Sequence, residues 1–396
     1  MAVVRIGLEV LVEEQCDRLR HARLGLLLNQ ASVDYRFRSA ADVVAAAFPG
    51  QLRFLFSPQH GFWGEQQANM IESADTRYGK LSLPVYSLYS KTRRPAPELL
   101  RSIDVLLIDL QDTGTRVYTF VWTLLECLRE AANCGTRVVI LDRPNPLGGA
   151  TAEGPSIAPG YESFVGGAAI PMRHGLTLGE LALLLNTELQ LGAQVEVVAM
   201  QGWNRGQFWP ETGRVWTPPS PNMPRWETAA VYPGQVLLEG VNLSEGRGTT
   251  RPFEFCGAPW VDAEQLVEEL GAESFPGLVL QPMRFRPTFD KWAGEICGGA
   301  ALHVTAPQEV RSFAFTIQLL LTVHRLYPGQ LRLLEPPYEY ERVRPPLDIL
   351  YGSEMLRHAL QANPGNLPPA APEVLSAFDD VTWWQRAAGS LLYPRP

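Results

Sequence analysis

Asp104-Val-Leu-Leu-Ile-Asp-Leu-Gln-Asp-Thr-Gly-Thr-Arg-Val-Tyr-Thr-Phe120 is the stretch on which the fold turns. It opens with an apolar run, Val105 to Ile108, of the kind found in a strand buried on both faces. Polar groups then arrive together: Asp109, Gln111, Asp112, Thr113, Arg116 and Tyr118. A helical pattern follows, with Phe120, Leu124, Leu125, Leu128 and Ala132 on one face and Gly135 placed to stop it. In an open α/β sheet, ligands bind where strands end ahead of helices, and this stretch has that form. The plainer reading is that Asp109 and Asp112 cap the helix or pair with Arg116.

Working outward, the pattern repeats. Strands are expected at Leu24–Gln30, Leu52–Pro58, Leu83–Tyr89, Arg137–Asp142 and Gln194–Met200, and a helix over Ala40–Phe48. Before the last strand, Thr177 and Glu180 fit a capping box, a sufficient structural reason for that glutamate. Such alternation implies a mainly parallel sheet covered by helices. From Trp203 to Trp260 the chain is rich in Pro, Gly, Trp and Asn and has little periodicity. An irregular segment of that length is usually functional or disordered, and its aromatics argue against disorder. A boundary between Ala229 and Gly234 divides the chain into an α/β domain, 1–230, and a smaller α+β domain, 231–396. In the second part helices are expected at Asp262–Leu270, Glu309–Tyr327, Ser353–Gln361 and Pro372–Arg386, with a strand at Gly299–Thr305. Arg332–Pro346 mixes charge, Pro and Tyr and reads as a covering loop.

Composition narrows the function. The chain has 396 residues, 46% of them hydrophobic and 19% charged, enough to bury a core of two domains. A formal charge of −8 argues against a general affinity for nucleic acid or anionic membranes. No window has the length of a membrane span, and the N-terminus lacks the pattern of a signal peptide, so the expectation is a cytoplasmic protein. Five scattered cysteines without a C-x-x-C pair suit reduced thiols. Six histidines without a ligand spacing give no reason to expect a transition metal, and no cofactor is expected either.

In a parallel sheet the strand ends share one edge, so distant motifs converge. Asn29-Gln30, Ser57-Pro-Gln-His-Gly-Phe-Trp-Gly-Glu65, the Asp109–Tyr118 group and Asp142-Arg-Pro-Asn-Pro-Leu-Gly-Gly149 would meet there. Later loops add Pro171-Met-Arg-His-Gly175, Ser220-Pro-Asn-Met-Pro224 and Glu239-Gly-Val-Asn-Leu-Ser-Glu-Gly-Arg-Gly-Thr-Thr250. Amides, carboxylates, arginines and indoles together suit a sugar, whose hydroxyl and acetamido groups need donors and acceptors and whose ring faces stack on Trp. A dinucleotide site is disfavoured because no G-x-G-x-x-G follows the first strand, and no P-loop or G-x-S-x-G elbow is present. Glu245-Gly-Arg-Gly-Thr-Thr could still cradle an anion through its backbone N–H groups. His60 and His174, each in a loop before glycine, read as site residues, whereas His324 on an apolar helix face reads as structural.

These motifs, with Pro84-Val-Tyr-Ser-Leu-Tyr89, occur in an order that resembles the NamZ family of exo-acting β-N-acetylmuramidases, from about Gly7 to the final Leu-Leu-Tyr. The resemblance implies a Rossmann-like N-terminal domain, a smaller C-terminal domain and a cleft between them. It also implies removal of N-acetylmuramic acid from the non-reducing end of peptidoglycan fragments, in cell-wall turnover or recycling. The substrate would be a muropeptide or amino sugar, with neither nucleic acid nor membrane as partner. One departure stands out: the family usually carries glutamate where this chain has Gln59, and an amide cannot act as a general acid. Three accounts remain open. Another carboxylate supplies the proton, Glu65, Asp112 or Glu245 being nearest by motif. Alternatively Gln59 holds an acetamido group that attacks its own anomeric carbon. In the third account the protein binds muropeptides without cleaving them, or acts on a different sugar.

Taken with the resemblance, the catalytic candidates are Asp109, Asp112, Asp142, Glu245 and Glu65. Arg116, Arg143 or Arg247 would take the lactyl carboxylate, a bidentate task suited to arginine. Gln59, His60, Gln111, Tyr118, Asn145, His174, Asn222, Glu239 and Asn242 would complete the substrate contacts, with Trp63 or Trp122 stacking.

Overall fold

A computed structural model describes residues 3–67, 71–90, 92–271, 274–362 and 380–394. Seven strands form the main sheet: β1 (Leu24–Leu28), β2 (Leu52–Ser57), β3 (Thr76–Tyr78), β4 (Leu83–Ser87), β5 (Val105–Asp109), β6 (Arg137–Leu141) and β7 (Val195–Val198). Their order is β3-β4-β2-β1-β5-β6-β7, and every pairing is parallel except that of the edge strand β3 with β4. Strands β1 and β5 are buried along their whole length, as their unbroken apolar runs require.

Alternation along each strand builds two cores. Leu24, Leu26 and Leu28 of β1 join Val105 and Leu107 of β5 beneath α1 (Gly7–Glu14) and α2 (Ala40–Ala47). On the opposite face Leu27, Leu106 and Ile108 meet α4 (Phe120–Cys134) and α5 (Leu178–Glu188), with the short α3 (Pro97–Arg101) alongside. Gly135 stops α4 in the left-handed conformation, φ 70°, and the Thr177–Glu180 capping box opens α5. The second core continues without interruption into the rest of the chain.

That remainder carries a three-stranded antiparallel sheet in the order β8-β10-β9, formed by β8 (Phe255–Ala258), β9 (Leu278–Phe285) and β10 (Cys297–Val304). Helices α6 (Trp226–Gln235), α7 (Ala263–Leu270), α8 (Ser312–Leu326), α9 (Pro346–Tyr351) and α10 (Met355–Gln361) surround it. A C-terminal helix, Asp380–Ala387, returns to the first part; the Pro372–Asp379 portion of the expected helix lies outside the described residues.

The segment expected to be irregular contains α6, and the proposed boundary at 229–234 falls inside that helix. Pro233 and Gly234 hide the helix from periodicity, and packing overrides them. A Cβ on Gly234 would stand 1.8 Å from the carbonyl oxygen of Ser312, so only glycine admits α8 this closely. Gln235 then donates to Thr316 Oγ1 across the contact at 2.8 Å.

Candidate active site

A pocket opens where loops from the parallel sheet meet loops of the smaller part. The turn after β2 contributes Gln59 and His60; His60 has φ 75°, an uncommon value for a side-chain-bearing residue. The descent from β5 into α4 contributes Val117, Tyr118 and Thr119, and Val165 adds an apolar wall. Ser220, Asn222 and Met223 come from a turn closed by Met223 N donating to Ser220 O at 3.0 Å. Tyr232 projects from α6, Glu239 from the 3-10 turn Val236–Gly240, and Arg247 and Phe253 from the following loop.

Tyr338 and Glu339 complete the wall. They lie on a tight hairpin in which Tyr338 and Glu341 exchange both backbone hydrogen bonds at 2.9 Å. Its two central residues, Glu339 and Tyr340, have φ of 42° and 70°, the signature of a type I′ turn, where Asn-Gly would be unstrained. Each such residue costs about 1 to 2 kcal/mol. The distortion aims a glutamate into the pocket, and contacts from Tyr89 and Gln59 help to hold it there.

The two pocket glutamates occupy unlike settings. Glu239 accepts from Arg247 Nη2 at 2.6 Å on one oxygen and from the Tyr338 hydroxyl at 2.5 Å on the other. Burial acts to lower the Arg247 pKa, but Glu239 and Glu245 outweigh it, so the net shift is upward and the guanidinium stays charged. Glu339 accepts from the Tyr89 hydroxyl at 3.0 Å and from Gln59 Nε2 at 3.4 Å, with no cation bonded to it among the described residues. Burial, reinforced by the charge of Glu239 against the Tyr89 bond, raises Glu339 from 4.5 to about 7. Tyr338 and Tyr232 are pushed far above the phenol range, first by burial and then by Glu239, so both remain neutral donors. His60 is lowered from 6.5 to about 4, mainly by burial. Its Nδ1 lies 2.7 Å from Gln66 O, which only accepts, so Nδ1 carries the hydrogen and Nε2 the lone pair.

The pocket thus gathers Gln59, His60, Tyr118, Asn222, Glu239 and Arg247 from the sequence candidates. Glu245 stands behind it, bonded to Lys291 at 2.6 Å and facing Arg247 Nε at 3.2 Å. The remaining candidates lie elsewhere. Asp109 is buried against Arg143 in a bidentate pair at the sheet edge. Asp112 accepts from Gly114 N at 2.7 Å and has His174 Nε2 at 3.4 Å. Asp142 is wholly buried, accepts from the Tyr393 hydroxyl at 2.6 Å and Gly179 N at 2.9 Å, and is raised to about 6 by burial. Glu65 is exposed and caps its own loop by accepting from Trp63 N at 3.1 Å.

Arg116 is fully buried and donates to the carbonyls of Pro155, Ile170, Leu350 and Tyr351, joining the two parts of the chain. Gln111 donates to Asp112 O and Pro144 O, Asn145 to Leu176 O, and Asn242 to Gln330 O. Of the two tryptophans expected to stack, Trp122 is buried with its indole N–H on Arg116 O, and Trp63 is exposed against Phe62 and Tyr78. Glu339, Tyr338, Thr119 and Tyr89 were not singled out in the sequence. The available signal was aromatic residues interleaved with acids after Pro336-Pro337, in the loop read as a cover.

A pocket with one glutamate paired to an arginine and another raised toward neutrality, amid amides and hydroxyls, is equipped as a glycoside hydrolase site. The chain belongs to the exo-β-N-acetylmuramidase NamZ family, whose N-terminal model matches residues 24–227 and whose C-terminal model matches 230–381. It is 40% identical over 331 residues, 84% of this chain and 80% of the relative, to the peptidoglycan β-N-acetylmuramidase NamZ of Bacillus subtilis (strain 168). Two crystal structures of DUF1343 family proteins from Bacteroides fragilis NCTC 9343 are similar over 100% of both chains. One has a TM-score of 0.87 at 31% identity, the other 0.77 at 25%. Among the described residues no helix is long and apolar enough to cross a membrane.

Proposed function

We propose that the protein hydrolyses the β-glycosidic bond of N-acetylmuramic acid at the non-reducing end of peptidoglycan fragments. The observation that carries this reading is Glu339, a buried carboxyl in the pocket with its pKa near neutrality. It serves as general acid: its proton passes to the glycosidic oxygen as the bond to C1 breaks. Positive charge developing at C1 faces Glu239, whose oxygens accept from Arg247 and Tyr338, which suits it to electrostatic stabilisation. A water adds at C1 and its proton passes to a carboxylate of the pair. His60 Nε2, Ser220 and Asn222 orient hydroxyl and acetamido groups, and Arg247, the one arginine lining the pocket among the described residues, takes the lactyl carboxylate. The binding-only alternative rested on Gln59, and Glu339 beside it supplies the missing proton. Five free cysteines support a reducing, cytoplasmic setting, where released sugar would be recycled.

The test is product analysis by mass spectrometry after incubation with a chromogenic β-N-acetylmuraminide and with a short peptidoglycan fragment ending in that sugar. Free N-acetylmuramic acid is the expected product. Intact substrate, from folded protein that binds it, would overturn hydrolysis in favour of a binding role.

A further inference from the structure

The pocket contains an amide, Gln59, both of whose ends are engaged. Gln59 Oε1 lies 2.6 Å from Thr119 Oγ1, and Gln59 Nε2 lies 3.4 Å from Glu339 Oε1. With the Thr119 hydroxyl donating to Gln59 Oε1, the amide nitrogen faces Glu339 and donates to a lone pair of its carboxyl. Tyr89 holds the other oxygen of Glu339 at 3.0 Å. Thr119 is the residue immediately ahead of α4, so the chain Thr119–Gln59–Glu339 ties the acid on its strained hairpin to the rigid sheet domain.

We infer that Gln59 is a positioning residue: its amide, anchored on Thr119, clamps the Glu339 carboxyl in place. The inference rests on the hydrolase reading above. At 3.4 Å the bond is at the long limit, enough to orient the carboxyl without strongly favouring its ionised form. The other titratable or charged groups facing Glu339 are Tyr89, Tyr338, Tyr232, Glu239 and Arg247. None of them replaces a carboxyl at position 59. With glutamate there, two carboxyls in contact would share a proton and titrate as a pair, the upper ionisation moving upward.

The experiment compares pH profiles of kcat and KM for the full chain and for Gln59→Glu, Gln59→Ala, Thr119→Val and Glu339→Gln on the chromogenic substrate. Glu339→Gln is expected to lose about 100-fold or more in kcat. Gln59→Ala should lower kcat about tenfold with KM little changed, and Thr119→Val should give a smaller effect of the same kind. Gln59→Glu should move the alkaline limb up by about one pH unit. A rise in KM alone for Gln59→Ala, with an unchanged pH profile, would place the amide on the substrate and overturn the proposal. Activity retained by Glu339→Gln would instead remove the acid assignment beneath it. If the parent chain hydrolyses nothing, the carboxyl infrared band of Glu339, assigned by its loss in Glu339→Gln, is titrated with Gln59 and with Gln59→Glu. An unchanged midpoint would overturn the clamp, and an upward shift would sustain it without the hydrolase reading.

Discussion

The carboxyl ends of the parallel strands and the pocket beside them hold the same kinds of side chain in different settings. At the strand ends Asp109 is closed by Arg143, Asp142 by Tyr393 and Gly179, and Arg116 by four carbonyls. Arg143 neutralises Asp109, whereas Asp142 and Arg116 have uncharged partners, and burial raises the one to about 6 and lowers the other to about 9. In the pocket Glu339 has neutral donors and, among the described residues, no bonded cation, and burial raises its proton affinity. A crowd of polar residues at a sheet edge therefore marks where a site is framed. The reactive group is the one that also faces the pocket, with its pKa raised to about 7.

Removing the pocket acid tests the reactive side. Glu339→Gln should cost about 10²- to 10⁴-fold in turnover while the melting temperature near pH 4, where Glu339 is protonated, holds, because amide and acid are nearly isosteric. On the structural side, Asp109→Ala leaves Arg143 buried without its partner and should destabilise by about 3–5 kcal/mol. Denaturant unfolding measures that loss, and the folded fraction should turn over normally. Inactive but stable Asp109→Ala would reverse the comparison. Between the two lies Tyr338→Phe, which deletes one donor to Glu239. A hydrogen bond to a charged group is worth about 1.5–3 kcal/mol, so a loss of about tenfold or somewhat more in kcat/KM is expected.

The pH dependence sharpens the contrast. Proton donation needs neutral Glu339, so kcat/KM should fall as pH rises through about 7. The stability contribution of the same group is fully present below its unfolded value of 4.5 and is lost as pH rises toward 7. His60 acts in the opposite direction. With its folded value near 4 and its unfolded value at 6.5, it destabilises the fold as pH falls between them. Melting temperatures for Glu339→Gln and the parent chain across pH 4 to 8 should separate the two. The smallest effect belongs to Glu65→Ala: an exposed loop cap outside the pocket, it should leave turnover unchanged and shift melting only slightly.

Much of the frame was legible because strand burial and helix amphipathicity are local patterns. The runs at Leu24, Leu52, Val105 and Arg137 became adjacent parallel strands, and Gly135 and Thr177 bounded helices through backbone chemistry that neighbouring residues determine. Helix α6 escaped because Pro233 and Gly234 break local rules that packing on α8 overrides. Glu339 escaped because its left-handed φ and its partners Tyr89 and Gln59, some 250 and 280 residues distant, leave no local trace.

The sequence by itself determined the sheet, the helices upon it and the family, since periodicity and ordered motifs belong to the chain. Only the tertiary structure decided which carboxylates are spent on holding the fold and which keeps a proton near neutral pH. That depends on burial and on partners brought from distant segments, and the energy of a charge is set by what surrounds it in space.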